Sequence, residues 1–233
     1  MKLRIKFTKH GALRFIGHLD VMRFFQKAIR RAEIDVAYTG GFSPHQVMTF
    51  AAPLGVGLES NGEYMDIEVN SLTSCSDIVK RLNASSVDGI EIISAKILPD
   101  DAGNAMASVA SATYTVRFRE GRMPEVNISA LLENFMKMNE ILYTKEGKKG
   151  KREIDLKPGI YGITWDNDAF KMHLNASSSG NIKPGQILEA MFATENITLM
   201  QNALLITRED IYTNTGKEET PIFTSLGDIG TVL

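Results

Sequence analysis

Residues 2–34, "KLRIKFTKHGALRFIGHLDVMRFFQKAIRRAEI", change hydrophobic period once, and that change sets the reading of the rest of the chain. "KLRIKF" (2–7) alternates apolar and basic residues, the period of a half-buried strand. In "HLDVMRFFQKAIRRAEI" (18–34), Val21, Phe25, Ala28, Ile29 and Ala32 recur at spacings of three and four. That spacing predicts a helix with one apolar face, and Asp20, Arg23, Lys27, Arg30 and Arg31 fall on the other. Downstream the pattern predicts a turn-rich loop at 38–44 and a strand ending near Pro53. A clear strand follows at 62–69, then a helix at 74–83 capped by Ser74 and a strand at 89–98. The order is βαββαβ.

The small, weakly patterned segment 99–111 reads as a linker or loose helix. After it come a strand (112–118), a helix (126–139), a strand (140–146) with its return at 152–156, a hairpin turning at 166–168, a helix opening at Pro184 and a last strand (203–213). Two matching orders predict an α+β protein of two tandem ferredoxin-like (βαββαβ) domains with antiparallel sheets. The expected division is a first domain at 1–98, the linker, and a second domain at 112–233 with an added hairpin and a basic loop at 145–152.

The net charge of −2 conceals two basic blocks. Residues 1–31 hold nine Lys/Arg against one acid, and 145–152 holds five bases against one. Such patches suit a polyanion such as RNA, although Lys-rich strands and hairpins also serve solubility. Arg14, Arg23, Lys27, Arg30 and Arg31 in the first block, and Lys148, Lys149, Lys151 and Arg152 in the second, are the expected contacts. Tyr38 and Phe42, beside Gly40–Gly41, could stack on a base, or simply cover the core edge of an ordinary connection. Neither a signal peptide nor a run of ~20 apolar residues is present, so a cytoplasmic protein without membrane contact is expected.

The single cysteine, Cys75, excludes an intrachain disulfide and any multi-cysteine cluster. His18, Asp20 and His45 are the candidate catalytic groups. His18 and Asp20 at i and i+2 on a helix point roughly 200° apart, so they cannot chelate alone; His10 or His45 would have to complete a metal site. A helix start is the plainer reading, with Asp20 favouring the dipole. An anion beside His18 and Arg14 at the exposed helix N–H groups lies between the two. Glu63 and Asp66 face opposite sides of one strand, which argues against a carboxylate pair. "NASSSGNIKPGQ" (175–186) is a Ser/Gly-rich loop feeding a helix, able to cradle phosphate or simply to connect. No nucleophile signature, P-loop or dinucleotide fingerprint appears, and no metal or cofactor is expected.

The segments "RFIGHLDVMRFF", "QKAIRRA", "AYTGGFSPHQ", "PLGVG" and "EYMD" together resemble the opening of the radical-SAM-linked family, bacterial proteins of unknown function. The family pattern runs RF-x-x-HLD, R-x-x-x-R-A-x-RRA, AYS-x-GF-x-PHP, PLPVG and E-x-x-D. Lys27, Gln46 and Gly55 depart from it; Gln46 removes the second proline of a PHP turn. "TKEGKKGKREIDLKP" and "SSSGNIKP" match later family segments more loosely. Members occur alone or fused C-terminal to a radical SAM protein, with genes near those for a G/E-type ribonuclease and ribosomal proteins. The resemblance implies an accessory module that binds RNA or a ribosome-related substrate for a radical SAM partner. No CxxxCxxC is present, so the chain is expected to be the partner rather than the catalyst. An RNA-modifying or RNA-processing enzyme centred on His18, Asp20 and His45, as in other tandem ferredoxin-like folds, and a protein-interaction scaffold stay open as alternatives.

Overall fold

The computed structural model describes residues 1–147 and 150–233, so Lys148 and Lys149 lie outside the described residues. The chain forms two units, Met1–Ala110 with Arg208–Leu233, and Ser111–Thr207. It is a mixed α+β protein whose recorded strand registers are antiparallel.

The first unit runs β1 (Lys2–Lys9), α1 (His18–Arg31), β2 (Met48–Phe50), β3 (Glu59–Glu68), α2 (Cys75–Ala84) and β4 (Ile92–Ile97). β1 is central, with β3 on one side (Arg4↔Asp66, Phe7↔Glu63) and β4 on the other (Ile5↔Ala95). β2 pairs with the far half of β3, Phe50 opposite Met65. Alternation along β1 sends Leu3, Ile5 and Phe7 to one face, where they join Met65 and Ile67. α1 covers that face with Val21, Phe25 and Ile29, and α2 with Ile78 and Leu82. Each fully buried side chain of this size stabilises by roughly 1.5–3 kcal/mol relative to exposure. Ser74 caps α2, accepting the Asp77 N–H at 3.0 Å. α1 stops at Arg31 rather than Ile34, because Glu33 turns to φ +51°. Arg81 from α2 then takes the freed carbonyls of Ala32, at 2.8 Å, and Glu33.

The second unit runs β5 (Ser111–Phe118), α3 (Ile128–Lys137), β6 (Leu142–Gly147), β7 (Gly150–Asp155), β8 (Ile160–Asp166), β9 (Ala169–Asn175), α4 (Pro184–Ala193) and the first residues of β10 (Leu204–Asn214). Its strands lie in the order β10-β5-β9-β8, and β6–β7 form a hairpin sheet of their own. Asn167 and Asp168, at φ +49° and +56°, make the two-residue turn that joins β8 to β9. Phe135 of α3 and Leu188, Met191 and Phe192 of α4 close on Val116, Phe170 and Met172 of the sheet.

The C-terminal division differs from the one read from sequence. From Arg208 onward the chain belongs to the first unit, where β10 lies beside β3 and β11 (Phe223–Ser225) pairs with β10. Asp210 anchors this return: Tyr64 donates to it at 2.5 Å, Ser225 at 2.8 Å and Lys6 at 3.2 Å. Burial, then the Asp210 carboxylate, pushes the Tyr64 phenol well above its ordinary range. Thr231 exchanges backbone hydrogen bonds with Ile97 at 2.8 and 2.9 Å. Segment 99–110 is likewise part of this unit rather than a free linker: Ala105 is fully buried and the Ala102 carbonyl accepts from Lys2 at 3.1 Å.

Candidate nucleic-acid interface and a buried charge cluster

α1 divides its residues by face as its period requires. Arg23, Lys27, Arg30 and Arg31 are exposed on the side opposite the Val21–Phe25–Ile29 face. Arg23 lies 3.3 Å from Asp20, also exposed, and Arg31 donates to the Ser85 carbonyl at 2.8 Å. The loop 38–46 closes on itself. Tyr38 bridges Gln46, the Thr39 N–H meets the His45 carbonyl at 2.8 Å, and the His45 N–H meets Thr39 Oγ1 at 3.0 Å. Buried Gln46 fastens the loop to the helix, its Nε2 donating to the Gln26 carbonyl at 3.3 Å. Gly41 turns the tip at φ +98°, a region glycine enters without a Cβ penalty. The result projects Phe42 fully into solvent and leaves Tyr38 half exposed. Four exposed cations on a helix and two exposed rings on the attached loop are the residue types that phosphate neutralisation and base stacking use.

The groups expected to form a polar centre do not line one cavity. His18, the first residue of α1, turns inward with its ring edge-on to Phe50 at 5.2 Å. Asp20 and His45 are exposed and do not line the cavity that His18 lines. Arg14 is engaged elsewhere. It lies 3.2 Å from Glu59, which also takes the Gly11 N–H at 3.1 Å and sits 3.4 Å from His10 Nδ1. Burial raises the Glu59 pKa, but these donors outweigh it and hold the carboxyl below its ordinary range. An anion held jointly by His18 and Arg14 therefore loses Arg14 to an internal carboxylate. Of the second basic block, Lys151 and Arg152 are exposed on β7. Among the described residues no three His, Cys, Asp or Glu side chains gather as a metal site.

His18 instead borders a charge cluster of Lys9, Glu63 and Arg208, of which the sequence spacing singles out Glu63 alone. Lys9, in phase with Leu3, Ile5 and Phe7, is 2 % exposed, and its ammonium donates to the Ile16 carbonyl at 3.1 Å. Glu63, in phase with Met65 and Ile67, receives Arg208 through two bonds, Nε at 2.8 Å and Nη2 at 2.5 Å. Arg208 Nη2 also meets the Ala52 carbonyl at 2.8 Å. Lys9, His18 and Glu63 border a space of about 10 Å³, room for roughly one water, walled by Phe7, Val21 and Phe50. Burial lowers the Lys9 pKa; Glu63 opposes that and Arg208 adds to it. Burial lowers His18 too, against Glu63. The strand periods of 2–9 and 62–69 were the signal for the first two: both residues fall on the apolar face. Asp66 points to the other side, where Arg4 holds it at 2.8 and 2.9 Å, as alternation requires.

Among the described residues no helix is long and apolar enough to cross a membrane. No curated protein sequence matches this chain. In fold it is similar to a chain in a crystal structure of a Cbf5–Nop10–Gar1 complex, with a TM-score of 0.51 at 9 % identity. That match covers 90 % of this chain and 48 % of the other, so this chain spans about half the length of its structural neighbour. The family model described as an uncharacterized protein conserved in bacteria, DUF2344, matches residues 2–184, and the chain belongs to that family.

Proposed function

We propose that this protein is an RNA-binding accessory module that presents RNA, or a ribosome-related substrate, to a radical SAM partner enzyme in the cytoplasm. The observation that carries the reading is the joined surface of α1 and loop 38–46. Arg23, Lys27, Arg30 and Arg31 stand exposed along the helix, and Tyr38 and Phe42 on a loop fastened to it through Gln46. Single strands are bound without sequence preference by this pairing of a cationic track with aromatic platforms. The radical SAM link rests on the resemblance of residues 14–66 to the radical-SAM-linked pattern. The strand orders, β4-β1-β3 with β2 beyond β3, and β10-β5-β9-β8, favour reading each unit as a ferredoxin-like domain. An enzyme centred on His18, Asp20 and His45 gains no support from the geometry, since the cavity that His18 lines is bordered by neither of the other two.

The test is salt-dependent binding of a single-stranded RNA oligomer to the intact protein. Each phosphate contact contributes about 0.7 to the log–log salt slope, so the double variant Arg23→Ala/Arg30→Ala should flatten it by about 1.4. Phe42→Ala should cost about 1–3 kcal/mol with the slope unchanged, because stacking releases no counterions. Absence of binding at low salt, or indifference to all three substitutions, refutes the proposal and leaves the protein scaffold as the better reading.

A further inference from the structure

The second unit carries a cleft that the α1 surface does not involve. It has a volume of about 560 Å³ and lies between the β6–β7 hairpin and the loop 175–182. Register places Lys145 directly opposite Arg152, so both side chains leave the same face of the hairpin. Tyr143 and Ile154, the next pair on that face, pack against the core, and Tyr143 donates to Glu189 of α4 at 2.7 Å. The face is therefore fixed in direction, and its outer pair is two cations. Like charges directly opposed destabilise a hairpin. Among the described residues neither Lys145 nor Arg152 makes an ion pair. Glu153 and Asp155 also border the cleft, but alternation puts their side chains on the opposite face. Asp155 is already occupied there, accepting the Ile141 and Lys157 N–H groups at 2.8 and 2.9 Å.

The facing loop is shaped by one residue. Asn175 Oδ1 accepts the Ser177 N–H at 2.9 Å and the Ser177 hydroxyl at 2.7 Å, and its carbonyl accepts the Ile182 N–H at 2.9 Å. A Cβ at Gly180 would stand 2.8 Å from Asn175 Nδ2, so the turn closes tightly over that side chain. With the loop so held, Ser178, Ser179 and Asn181 are exposed and border the cleft across from the two cations. Pro158 and Ile182 give the same cleft an apolar wall.

We propose that this cleft binds the phosphate group of a nucleotide-sized ligand, with Lys145 and Arg152 neutralising the phosphate and Ser178, Ser179 and Asn181 donating to its oxygens. The volume accommodates one nucleotide, and the apolar wall suits its base or sugar. A phosphate here offsets the repulsion between the opposed cations, which a neutral ligand does not.

The test titrates the intact protein with 5′-AMP, adenosine and inorganic phosphate, following backbone amides by NMR. Two arms add an RNA octamer with a 5′-phosphate and the same octamer with a 5′-hydroxyl. AMP should shift the amides of 177–181 and bind at least about tenfold tighter than adenosine, the scale of one charge-assisted contact. Inorganic phosphate should compete. Lys145→Gln/Arg152→Gln should abolish the AMP preference without lowering Tm, because removing opposed like charges does not weaken the hairpin. A stronger effect of AMP identifies a free nucleotide as the source, and of the phosphorylated octamer an RNA end; both support the site. Equal binding of AMP and adenosine, an unaffected double variant, or a double variant of lower Tm overturns it. Arg23→Ala/Arg30→Ala should leave AMP binding unchanged. AMP binding that persists without RNA affinity therefore rejects the α1 reading alone.

Discussion

The buried cluster of Lys9, Glu63 and Arg208 makes a prediction that depends on counting charge. Two cations and one carboxylate sit together, and the carboxylate gives both oxygens to Arg208. Lys9 is left with a carbonyl, that of Ile16, at 3.1 Å. Glu63→Gln removes the one negative charge and leaves two buried cations, a change that costs about 3–5 kcal/mol in comparable buried pairs. For a chain of this length that lowers Tm by on the order of 10 °C. Lys9→Met removes the surplus charge instead. It loses one hydrogen bond of about 1 kcal/mol, offset by no longer burying an ammonium, so stability should change by no more than about 1 kcal/mol. The double variant should be less destabilised than the sum of the single ones by at least about 1 kcal/mol, since Lys9 repels Arg208 most once Glu63 is neutral. The single tryptophan, Trp165, lies on β8 in the second unit, so its fluorescence reports the wrong half. Urea unfolding should be followed by amide exchange of β1 and β3. Additivity within about 0.5 kcal/mol, or a Lys9→Met cost equal to that of Glu63→Gln, refutes the charge count.

Two further outcomes follow from local geometry. Burial depresses the pKa of both His18 and His173 below the ordinary 6.5, so the unfolded chain takes up protons first as pH falls. The stability they confer is present above 6.5 and is lost as pH falls through that value toward their folded pKa values. Urea midpoints should decline between about pH 7 and about pH 5, and His18→Gln with His173→Gln should shrink the decline; an unchanged profile rejects the assignment. Gly89 holds φ +92°, and a Cβ there would stand 2.6 Å from the His10 carbonyl oxygen, whereas Gly41 at φ +98° has open space around it. Gly89→Ala should therefore lower stability by about 1–3 kcal/mol and by more than Gly41→Ala does, measured as the difference in urea midpoints.

What the sequence could reveal was set by the range over which each feature is encoded. The switch from period two to 3.6 in residues 2–34 is local, and β1 and α1 stand where it puts them; so do the Ser74 cap and the Asn167–Asp168 turn. The return of the C-terminal segment is not local. Residues 203–213 read as a strand, but no period names a strand's partner, and Arg208 meets a carboxylate 145 positions earlier. The charge cluster was hidden for a different reason. Lys9 and Glu63 occupy inward positions of their strands, yet a charged residue at such a position reads as the end of the apolar pattern until a counter-charge is known. Arg208, the residue that makes Glu63 tolerable inside, comes from the segment whose partner the sequence could not name. A different non-local contact, across 20 positions, bears on why His18 and His45 do not line one cavity. Their spacing allows a meeting, but Gln46 ties the loop base to the Gln26 carbonyl midway along α1 while His18 turns in at its first residue. One long-range strand pairing thus decides both which unit the tail joins and which counter-charge Glu63 meets inside, and short-range patterns, read correctly, leave both undetermined.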